Sequence, residues 1–570
     1  MIVDYRLYRA AFIPALLAAV TLMFSLEGVP EPVEPGVPTS GFEAGPAMAV
    51  AREIVSVAPE RTPGSDGDNR VADLVADRFA EIEAGTPSEQ QVDATFDGDD
   101  VRLRNVLLTL PGETDATIVV LAARDSVEDP GAASSAAATG VLVALAEVLG
   151  VAGHSKTYVF ASTSGASEGA AGARELLEGL EGAGPVDAVV VISQPGAVDP
   201  RQPYVITTST GTQSGSAQLR QSAERAVSTQ TGVTPNGAGG FGQLARLALP
   251  SGLGQQAPLV EMGVDAVAIS SAAERPLPPG FDQEEDLSAG TVSNFGRAAQ
   301  STVQAVDAAP ASLEHGPATY LELGGNLVPG WTLSLLALGL LLPAVVAAVD
   351  AAARALRRDE LLTTGLAWAA AFALPVIGGV ALLYGLSFVG VVPRPEFPFD
   401  PASFEVGTAA IATAVLITAA VIGSAALVRA RSRPSVPHDA AVAGLGLTAS
   451  AACLVLWLAN PYLALLLAPA AHVWLLATGT ACRARGATAG VAAVASLLPA
   501  VIAVGHVASA LDLSGAAPWT FAIMVADGQI GFWSVLALCF LLGMLAGTVV
   551  ASGSGRKADP VVASPGRSIR

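Results

Sequence analysis

Carboxyl and hydroxyl side chains follow several short apolar runs in the first half of this 570-residue chain. Asp125, Glu168 and Ser193 each come shortly after a run that is typical of a buried strand. Carboxylates can act as general acids or bases or as ligands for a cation, and serine can act as a nucleophile. Because the carboxyl ends of parallel strands meet at one edge of a sheet, we expect positions 123, 134, 166–167, 193 and 256 to converge there.

Histidine, the usual partner in such chemistry, is scarce in this part of the chain. Residues 1–328 contain only His154 and His315. His154 falls in a Gly-rich turn and His315 in a later link, so both are interpreted as surface residues. Ser134 and Ser193 therefore lack a predicted base for nucleophilic catalysis, and no catalytic residue is assigned.

The elements that would position these side chains alternate between strands and helices. This alternation predicts an α/β domain with a mostly parallel, mixed sheet covered on both faces. The strand-like runs are 104–110, 117–122, 157–162, 187–192, 203–208 and 265–270, and the helical patterns are 42–57, 68–84, 136–150, 169–180, 215–228 and 289–307. The Gly-rich stretch 236–242 is interpreted as a flexible surface loop, since it lacks the lysine of a phosphate loop.

Charge divides the chain into two parts. Residues 1–328 carry 41 acidic and 17 basic residues and residues 329–570 carry 10 and 13, so the net charge of −21 arises in the first part. Nucleic acid is excluded as a partner, because phosphate binding needs clustered Lys and Arg. The only cysteines are Cys453, Cys482 and Cys539, so the first part has neither a disulfide nor a cysteine-type zinc site.

Hydrophobic residues make up 51% of the chain and charged residues 14%, which indicates membrane segments. The run at 10–26 could be a signal peptide or a signal anchor, and the lack of a small-x-small cleavage site after it favours an uncleaved anchor. Seven later runs predict an all-α bundle, for about eight spans in total. The later runs are 329–350, 361–391, 406–428, 440–459, 461–481, 486–510 and 531–551. The predicted domains are a transmembrane anchor (1–28), a Pro-rich linker (29–44), the α/β domain (45–308), a second linker (309–328), the seven-span block (329–551) and a cytoplasmic tail (552–570).

Arginine in alternate loops sets the predicted orientation. Arginines are concentrated in the loops 351–360 and 429–439 and in the turn 483–485, whereas the loop 392–405 has one and the loop 511–530 has none. Loops rich in Lys and Arg stay on the cytoplasmic side. The pattern predicts a multi-pass protein of the cell membrane with both termini in the cytoplasm and residues 29–328 outside it.

Two histidines, His472 and His506, lie inside predicted spans. Together they could form a proton relay or a metal pair, and the alternative is that each is a packed polar residue bonded to a neighbouring helix. A coupled transporter usually has buried acids, which the predicted spans lack. A transporter with an accessory outer domain is therefore a further, weaker alternative for the function.

Six segments between residues 45 and 308, taken in order, resemble the zinc aminopeptidase-type metallopeptidases of metallopeptidase family 28. The segments are RTPGSDGDNR at 61–70, RNVLLTLPG at 104–112, IVVLAARDSVEDPGA at 118–132, GVLVALAEVL at 140–149, YVFASTSGASEGAAGAR at 158–174 and GQQAPLVEMGVDAVAIS at 254–270. The resemblance implies an aminopeptidase-like fold for this domain. It also implies a site with two zinc ions, held by His, Asp and Glu, and a glutamate as general base.

Carried onto this chain, the family's site residues are largely replaced. Its five ligand positions fall on Ala123, Ser134, Ser167, Ser193 and Gln256, and its base falls on Ala166. Asp125 remains from the family's His-x-Asp turn, although it is not itself a ligand there, and Glu168 could stand in for one glutamate. The resemblance therefore implies a degenerate site without a metal.

The main functional hypothesis is a membrane-anchored pseudopeptidase. Its metal-free outer domain would bind or scaffold a peptide, protein or lipid-linked ligand at the degenerate cleft, with membrane lipid as its other partner and no cofactor. The alternative is an active membrane-bound metallopeptidase with an atypical site and zinc as its cofactor. Measuring the zinc content would separate the two.

Overall fold

The computed structural model describes residues 3–553 apart from short gaps. The gaps are residues 36–40, 97, 128, 181–183, 201–203, 236, 279, 311, 405, 432–435 and 479–482. Cys482 and the tail from residue 554 onward therefore lie outside the described residues.

An apolar helical segment lies at the N-terminal end. It consists of α1 (Tyr5–Ala10) and α2 (Ile13–Phe24), which together make a candidate span of 20 residues. The short strand β1 (Glu27–Gly28) follows. This segment agrees with the predicted anchor at 10–26 and begins about one turn earlier.

The α/β domain contains a seven-stranded sheet. Its strands are β2 (Thr86–Phe96), β3 (Asp99–Leu110), β4 (Thr114–Ala123), β5 (Lys156–Thr163), β6 (Val186–Ile192), β7 (Val205–Ile206) and β8 (Ala266–Ile269), in the order β2-β3-β5-β4-β6-β8-β7. The four strands β5, β4, β6 and β8 run parallel, and β2, β3 and β7 add antiparallel edges. The predicted mixed α/β sheet is confirmed, although only its central strands pair in parallel.

The β2–β3 hairpin widens the sheet beyond the prediction. β2 is mostly exposed and polar, so its sequence lacks the apolar run that marks a buried strand. It pairs with β3 along its whole length, from Thr86 opposite Thr109 to Phe96 opposite Asp99. The pairing therefore depends on backbone hydrogen bonds to β3 and not on burial of both faces.

Helices cover both faces of the sheet. They are α3 (Ala44–Val57), α4 (Asp66–Ala80), α5 (Ala137–Gly150), α6 (Ala171–Gly179), α7 (Ala217–Thr231), α8 (Gly240–Ala248), α9 (Gln256–Glu261) and α10 (Ala289–Ala308), and a π-helical turn (Ala132–Ala136) precedes α5. The Gly-rich stretch is a correction to the predicted loop, because Gly240 to Gly242 form the first turn of α8.

Alternation along β4 divides the core into two layers. Ile118 and Val120 pack into the cluster that contains residues of α3, α5 and α10, whereas Val119 and Leu121 pack into the cluster with residues of α6 and α9. Successive side chains of a strand point to opposite faces, so an uninterrupted apolar strand is buried on both. This arrangement places the end of β4 at the centre of the domain.

A second, three-stranded sheet connects the domain to the membrane block. β9 (Tyr320–Leu323) and β10 (Asn326–Pro329) form a hairpin, and β10 also pairs with β1. The segment after β1 is attached to the domain as well, since the N–H of Val33 donates to Ser222 Oγ over 2.9 Å. Both predicted linkers thus contain ordered, hydrogen-bonded structure.

The second part of the chain is helical. Its helices are α11 (Gly330–Leu356), α12 (Leu362–Ala371), α13 (Leu374–Phe388), α14 (Thr408–Arg431), α15 (His438–Ala459), α16 (Pro461–Leu467), α17 (Arg483–Ala510), α18 (Ala517–Asp527) and α19 (Phe532–Gly553). Across the described residues, eight helices are long and apolar enough to span a membrane, and the pair α12–α13, bent by 49°, would be a ninth. One of the eight, Ala132–Gly150, is buried in the α/β domain. The other seven and the bent pair together make eight candidate spans, which is the predicted number.

Two details differ from the predicted spans and loops. The run at 461–481 is not one α-helix, because α16 is followed by a 3₁₀ segment, Ala470–Thr478. The predicted loop 511–530 contains α18, which packs Ile523 and Met524 into the core of the membrane block. α18 is only 11 residues long, too short for an apolar run that would mark a span in the sequence.

The loops of the membrane block lie at two ends. At one end Glu396, Asn460 and Gln529 bond to the α/β domain, through Gly169, Leu247 and Thr210 respectively. At the other end Arg354 pairs with Asp350 and Arg358 pairs with Asp439. The loops poor in arginine are therefore the ones that share an end with the α/β domain.

Candidate functional site

A cavity of about 190 Å³ lies at the carboxyl ends of the central strands. Six of the eight positions that the sequence singled out line it, namely Ala123, Asp125, Ser134, Ala166, Ser167 and Ser193. These residues come from the ends of β4, β5 and β6 and from the turn before α5. The sheet topology brings them together, because the ends of adjacent parallel strands form a crevice.

Asp125 stabilises the loop that follows β5 through hydrogen bonds. Its two carboxylate oxygens accept hydrogen bonds from the N–H groups of Ala166 (3.2 Å) and Ser167 (3.1 Å), and the Ser167 hydroxyl donates to it over 3.0 Å. Burial, followed by the charge of Asp68, raises the pKa of Asp125, while these hydrogen bonds lower it. The serine at the position of a family ligand thus donates to the remaining carboxylate.

Asp282, on the opposite wall of the cavity, holds the turn before α5 through hydrogen bonds of the same kind. It accepts hydrogen bonds from the N–H groups of Ala133 (2.7 Å) and Ser134 (3.1 Å), and the Ser134 hydroxyl donates to its other oxygen. Burial raises the pKa of Asp282, and the hydrogen bond from Ser134 opposes that effect. The sequence did not identify Asp282, since it lies 148 residues from Ser134 and outside the resembling segments.

Gly131 makes the turn before α5 possible. Its φ is +60°, and a Cβ there would lie 2.4 Å from Ser135 Oγ and 2.8 Å from an Arg61 nitrogen. Only glycine accommodates both the left-handed backbone and this close approach. The turn thereby presents the N–H groups of Ala133 and Ser134 to Asp282.

Arg61 is the buried cation beneath these carboxylates. Its guanidinium donates to the carbonyls of Ala58 (2.7 Å) and Arg124 (2.8 Å) and to Ser135 Oγ (2.9 Å). Burial lowers the pKa of Arg61 to about 10, against the opposing effect of Asp125 and the other nearby carboxylates. The group therefore stays charged near neutral pH and offsets part of the negative charge around the cavity.

A second buried pair, Asp68 with Arg124, lies behind the cavity. Arg124 Nε is 2.8 Å from Asp68 Oδ1, and both side chains are fully buried. Ser164 Oγ also donates to Asp68 over 2.8 Å. Ser65 is the N-cap of α4, whereas the Asp68 carboxylate is buried.

Gln256 and Glu168 are the two predicted positions that do not line the cavity. Gln256 is buried in the first turn of α9, and its neighbour Gln255 lines the cavity instead, accepting from Thr163 Oγ1 over 3.0 Å. A shift of one residue along the start of a helix turns the side chain by about 100°. The resemblance fixed the segment but not which of the two glutamines faces the cavity.

Glu168 instead joins the domain to the membrane block. Its Oε1 accepts a 2.8 Å hydrogen bond from the N–H of Glu396, in the loop between α13 and α14. The N–H of Gly169 donates to the carbonyls of Glu396 (3.0 Å) and Pro398 (2.8 Å), and Arg174 pairs with the Glu396 carboxylate. The same loop then lines the cavity with Pro398, Phe399, Asp400 and Ser403.

The described lining is acidic. It includes Asp125, Asp129, Glu274, Asp282 and Asp400, and none of the residues that line the cavity is Lys, Arg or His. Glu274 is paired with Arg246, at 2.7 Å, so its charge is compensated locally. Arg61 is the buried cation near Asp125 and Asp282, so the described lining itself carries carboxylates and no cationic side chain.

These donors do not fit the two zinc ions that the resemblance implies. Ala123 and Ala166 have no donor atom, and Ser134 and Ser167 offer neutral hydroxyls that already donate to carboxylates. Within the described parts of the chain, no three or more His, Cys, Asp or Glu side chains come together in a group that could hold a metal ion.

The histidines lie away from this cavity. His154 stacks on Tyr158, and His315 Nδ1 is 2.6 Å from Asp265, where the hydrogen bond raises its pKa. His472 contacts the carbonyl of Leu340 at 3.0 Å, as expected for a packed polar residue in a helix bundle.

Comparison with known proteins gives similarity to solved structures only. No family model matches the chain, and no curated protein matches it. The glutaminyl cyclases of Fimbriiglobus ruber (12% identity, 99% of that chain) and of an Acidobacteriales bacterium (17% identity, 97% of that chain) each align with 48% of this chain at a TM-score of 0.39. The Legionella pneumophila LapA aminopeptidase aligns with 47% of this chain and 72% of its own at 14% identity and a TM-score of 0.38.

Similarities this distant transfer neither an activity nor a substrate. The degenerate site and the aminopeptidase relationship therefore remain predictions. What the chain does have is a mixed seven-stranded α/β domain, attached to a block of apolar helices long enough to cross a membrane.

Proposed function

We propose that this chain is a membrane-embedded pseudopeptidase whose outer α/β domain binds a ligand without cleaving it. The cavity at the ends of the central strands is the ligand site, and the domain faces away from the cytoplasm. The ligand is a peptide, a protein segment or a lipid-linked group. The membrane block anchors the domain and contributes one wall of the site.

The observation that carries this proposal is the pairing of serines with carboxylates. Ser167 donates to Asp125 and Ser134 donates to Asp282, and backbone N–H groups occupy the same carboxylates. A catalytic carboxylate must present a lone pair to a metal or to a proton in transfer. Here the carboxylates instead hold two loops in place, which preserves the shape of the cleft without the chemistry.

A retained cleft favours binding over a purely structural role. A cavity of about 190 Å³ remains, and its walls come from separate loops. Concave sites with a few convergent polar groups are the usual places for small ligands. A domain that served only as a scaffold would have no need of an internal space walled by loops from two parts of the chain.

The test is metal analysis and activity of the full chain, purified in detergent. We expect zinc far below one ion per chain, no cleavage of aminopeptidase substrates, and an unchanged melting temperature after a chelator is added. A structural metal at 100 times its Kd would contribute about 2.7 kcal/mol to stability, which a chelator would remove. The measurement therefore detects a bound metal even where no activity is found.

Two outcomes would contradict the proposal. One is stoichiometric zinc; the other is chelator-sensitive peptide hydrolysis that disappears in Glu168→Gln or Asp282→Asn. Thr229→Ala, on α7 and away from the cavity, serves as the control for non-specific loss. Either outcome would promote the active metallopeptidase alternative.

A further inference from the structure

The cavity borders the membrane block directly. Leu253 and Phe399, two of its lining residues, belong to the same buried apolar cluster as the residues of α11, α15 and α19. Phe399 also makes edge-to-face contacts with Phe397 and Phe404, at centroid distances of 5.7 and 5.2 Å. One wall of the site is therefore a continuation of the membrane core.

The helix that follows this wall is exposed over nearly its whole length. In α14 the candidate span Thr408–Val428 is only 6% buried, compared with 50% for α11 and 61% for α15. Ser403, at the cavity, precedes Thr408 by five residues, which span at most about 18 Å of extended chain. Lipids around the first turn of α14 therefore lie within reach of the cavity.

The lining combines two kinds of side chain. Asp125 and Asp282 of the domain and Asp400 of the membrane block are acidic, whereas Leu253 of the domain and Phe399 of the membrane block are apolar. Acidic and apolar side chains in one cavity match an amphiphile, whose charged headgroup needs hydrogen bonds and whose glycerol-linked acyl chains need apolar contact. A volume of about 190 Å³ admits a headgroup while the acyl chains stay outside.

An unpartnered acceptor gives a second indication of the ligand's chemistry. Gln194 lines the cavity and is 7% exposed, and its Oε1 has no hydrogen-bond partner among the described residues. Its Nε2 donates to the carbonyl of Arg275 over 3.3 Å, which fixes Oε1 as the remaining acceptor. A buried acceptor without a donor is costly, so a ligand that brings an N–H group would relieve it.

From these features we infer that the cavity binds the amine-bearing headgroup of a zwitterionic membrane lipid. The ammonium group lies among Asp125, Asp282 and Gln194, and the glycerol end lies against Leu253 and Phe399. An anionic headgroup is disfavoured, because no cationic side chain lines the described cavity. This inference rests on the proposed function, in which the site binds a ligand without cleaving it.

The test uses the full chain in nanodiscs, with retained lipid measured by native mass spectrometry. We expect phosphatidylethanolamine to be retained at least about tenfold more than phosphatidylglycerol, since a hydrogen bond to a charged group contributes about 1.5–3 kcal/mol. Phosphatidylcholine, which has the charge but no N–H, should fall between them. Asp282→Asn, which removes a charge and keeps the shape, should reduce the preference.

A matched pair of variants locates the lipid. Ser193→Phe fills the cavity at the end of β6 and should abolish the retention of phosphatidylethanolamine. Thr229→Phe places the same ring in a different cavity, between α7 and the segment after β1, and should leave the retention unchanged. Similar melting temperatures for the two variants would exclude misfolding, and Asp282→Asn provides an independent measurement if Ser193→Phe does not fold.

Three results would overturn the inference. They are equal or greater retention of phosphatidylglycerol, retention that Ser193→Phe leaves unchanged, and binding of an unblocked peptide by a protein that retains no lipid. The last result would leave the proposed non-catalytic binding intact and change only the ligand. Cleavage of that peptide with bound zinc would instead refute the proposed function itself.

Discussion

The backbone N–H of Glu396 lies 2.8 Å from Oε1 of Glu168, and this hydrogen bond joins a loop of the membrane block to the turn after β5. The residues are 228 positions apart in the chain. Because the same loop lines the cavity, the position of Glu168 bears on the shape of the site. Glu168 is thus retained from the resembling segment but holds a wall in place.

Glu168→Ala should loosen the loop 392–404 while leaving the domain folded. A hydrogen bond to a charged acceptor contributes about 1.5–3 kcal/mol, so we expect amide exchange at Glu396 and Phe397 to rise by about tenfold or more. Hydrogen–deuterium exchange with mass spectrometry measures this directly. Arg174→Ala is the control, because its half-exposed pair with Glu396 should contribute less than about 1 kcal/mol. An equal effect of the two variants would contradict the assignment.

Arg124→Met should strongly destabilise the α/β domain. It removes one partner of a buried ion pair and leaves Asp68 charged and buried, which typically costs about 3–5 kcal/mol. The melting temperature of the full chain measures the loss. Arg102→Met is the control, since the pair of Arg102 with Asp93 is largely exposed and should contribute almost nothing to stability. A similar melting temperature for both variants would show that the buried pair is dispensable.

The stability of the protein should depend on pH through Asp527, which lies at the end of α18 and outside the predicted spans. Burial, together with the charges of Glu396 and Glu168, raises the pKa of Asp527 to about 6. A carboxyl whose pKa is raised by folding favours the folded state at low pH, and that advantage is lost as pH rises from about 4 through about 6. Wild type should therefore lose stability across this window relative to Asp527→Asn. A difference in melting temperature between wild type and Asp527→Asn that stays constant at every pH would contradict the assignment.

The orientation can be tested with reporters fused after Pro200 and after Pro565. We expect opposite compartments, with the tail in the cytoplasm, because loops rich in arginine stay inside. The loop pattern supports this, as the arginine-poor loops bond to the α/β domain. Reporters on the same side would refute the eight-span arrangement.

Much of the α/β domain could be predicted from local patterns. The runs that became β4, β5 and β6 are continuous stretches of apolar residues, and burial on both faces leaves few other structures for them. β2 escaped prediction because its residues are polar, and α18 because it is short. β2 exists through pairing with the neighbouring strand β3, and α18 through packing against distant helices, and neither leaves a periodic apolar pattern in its own segment.

Some residues of the candidate site could likewise be predicted from the sequence, and others could not. The positions Ala123, Ser134 and Ser193 could be placed from the resembling segments, since each follows an element with a clear pattern. Asp282, Gln194 and the wall at Phe399 could not, because they reach the cavity only through the folding of segments far apart in the sequence. Gln255 lines the cavity in place of the predicted Gln256, because the direction of a side chain at the start of a helix depends on the turn before it.

The sequence by itself determined that the chain has a membrane block and an acidic α/β domain. Hydropathy, charge and strand periodicity are properties of single segments, and solvent acts on them segment by segment. Tertiary structure decided that Asp125 and Asp282 are held by serines and backbone N–H groups and that a membrane loop closes the cavity. Those relationships depend on distances between atoms, and such distances are set only when the sheet, the helices and the loops pack together.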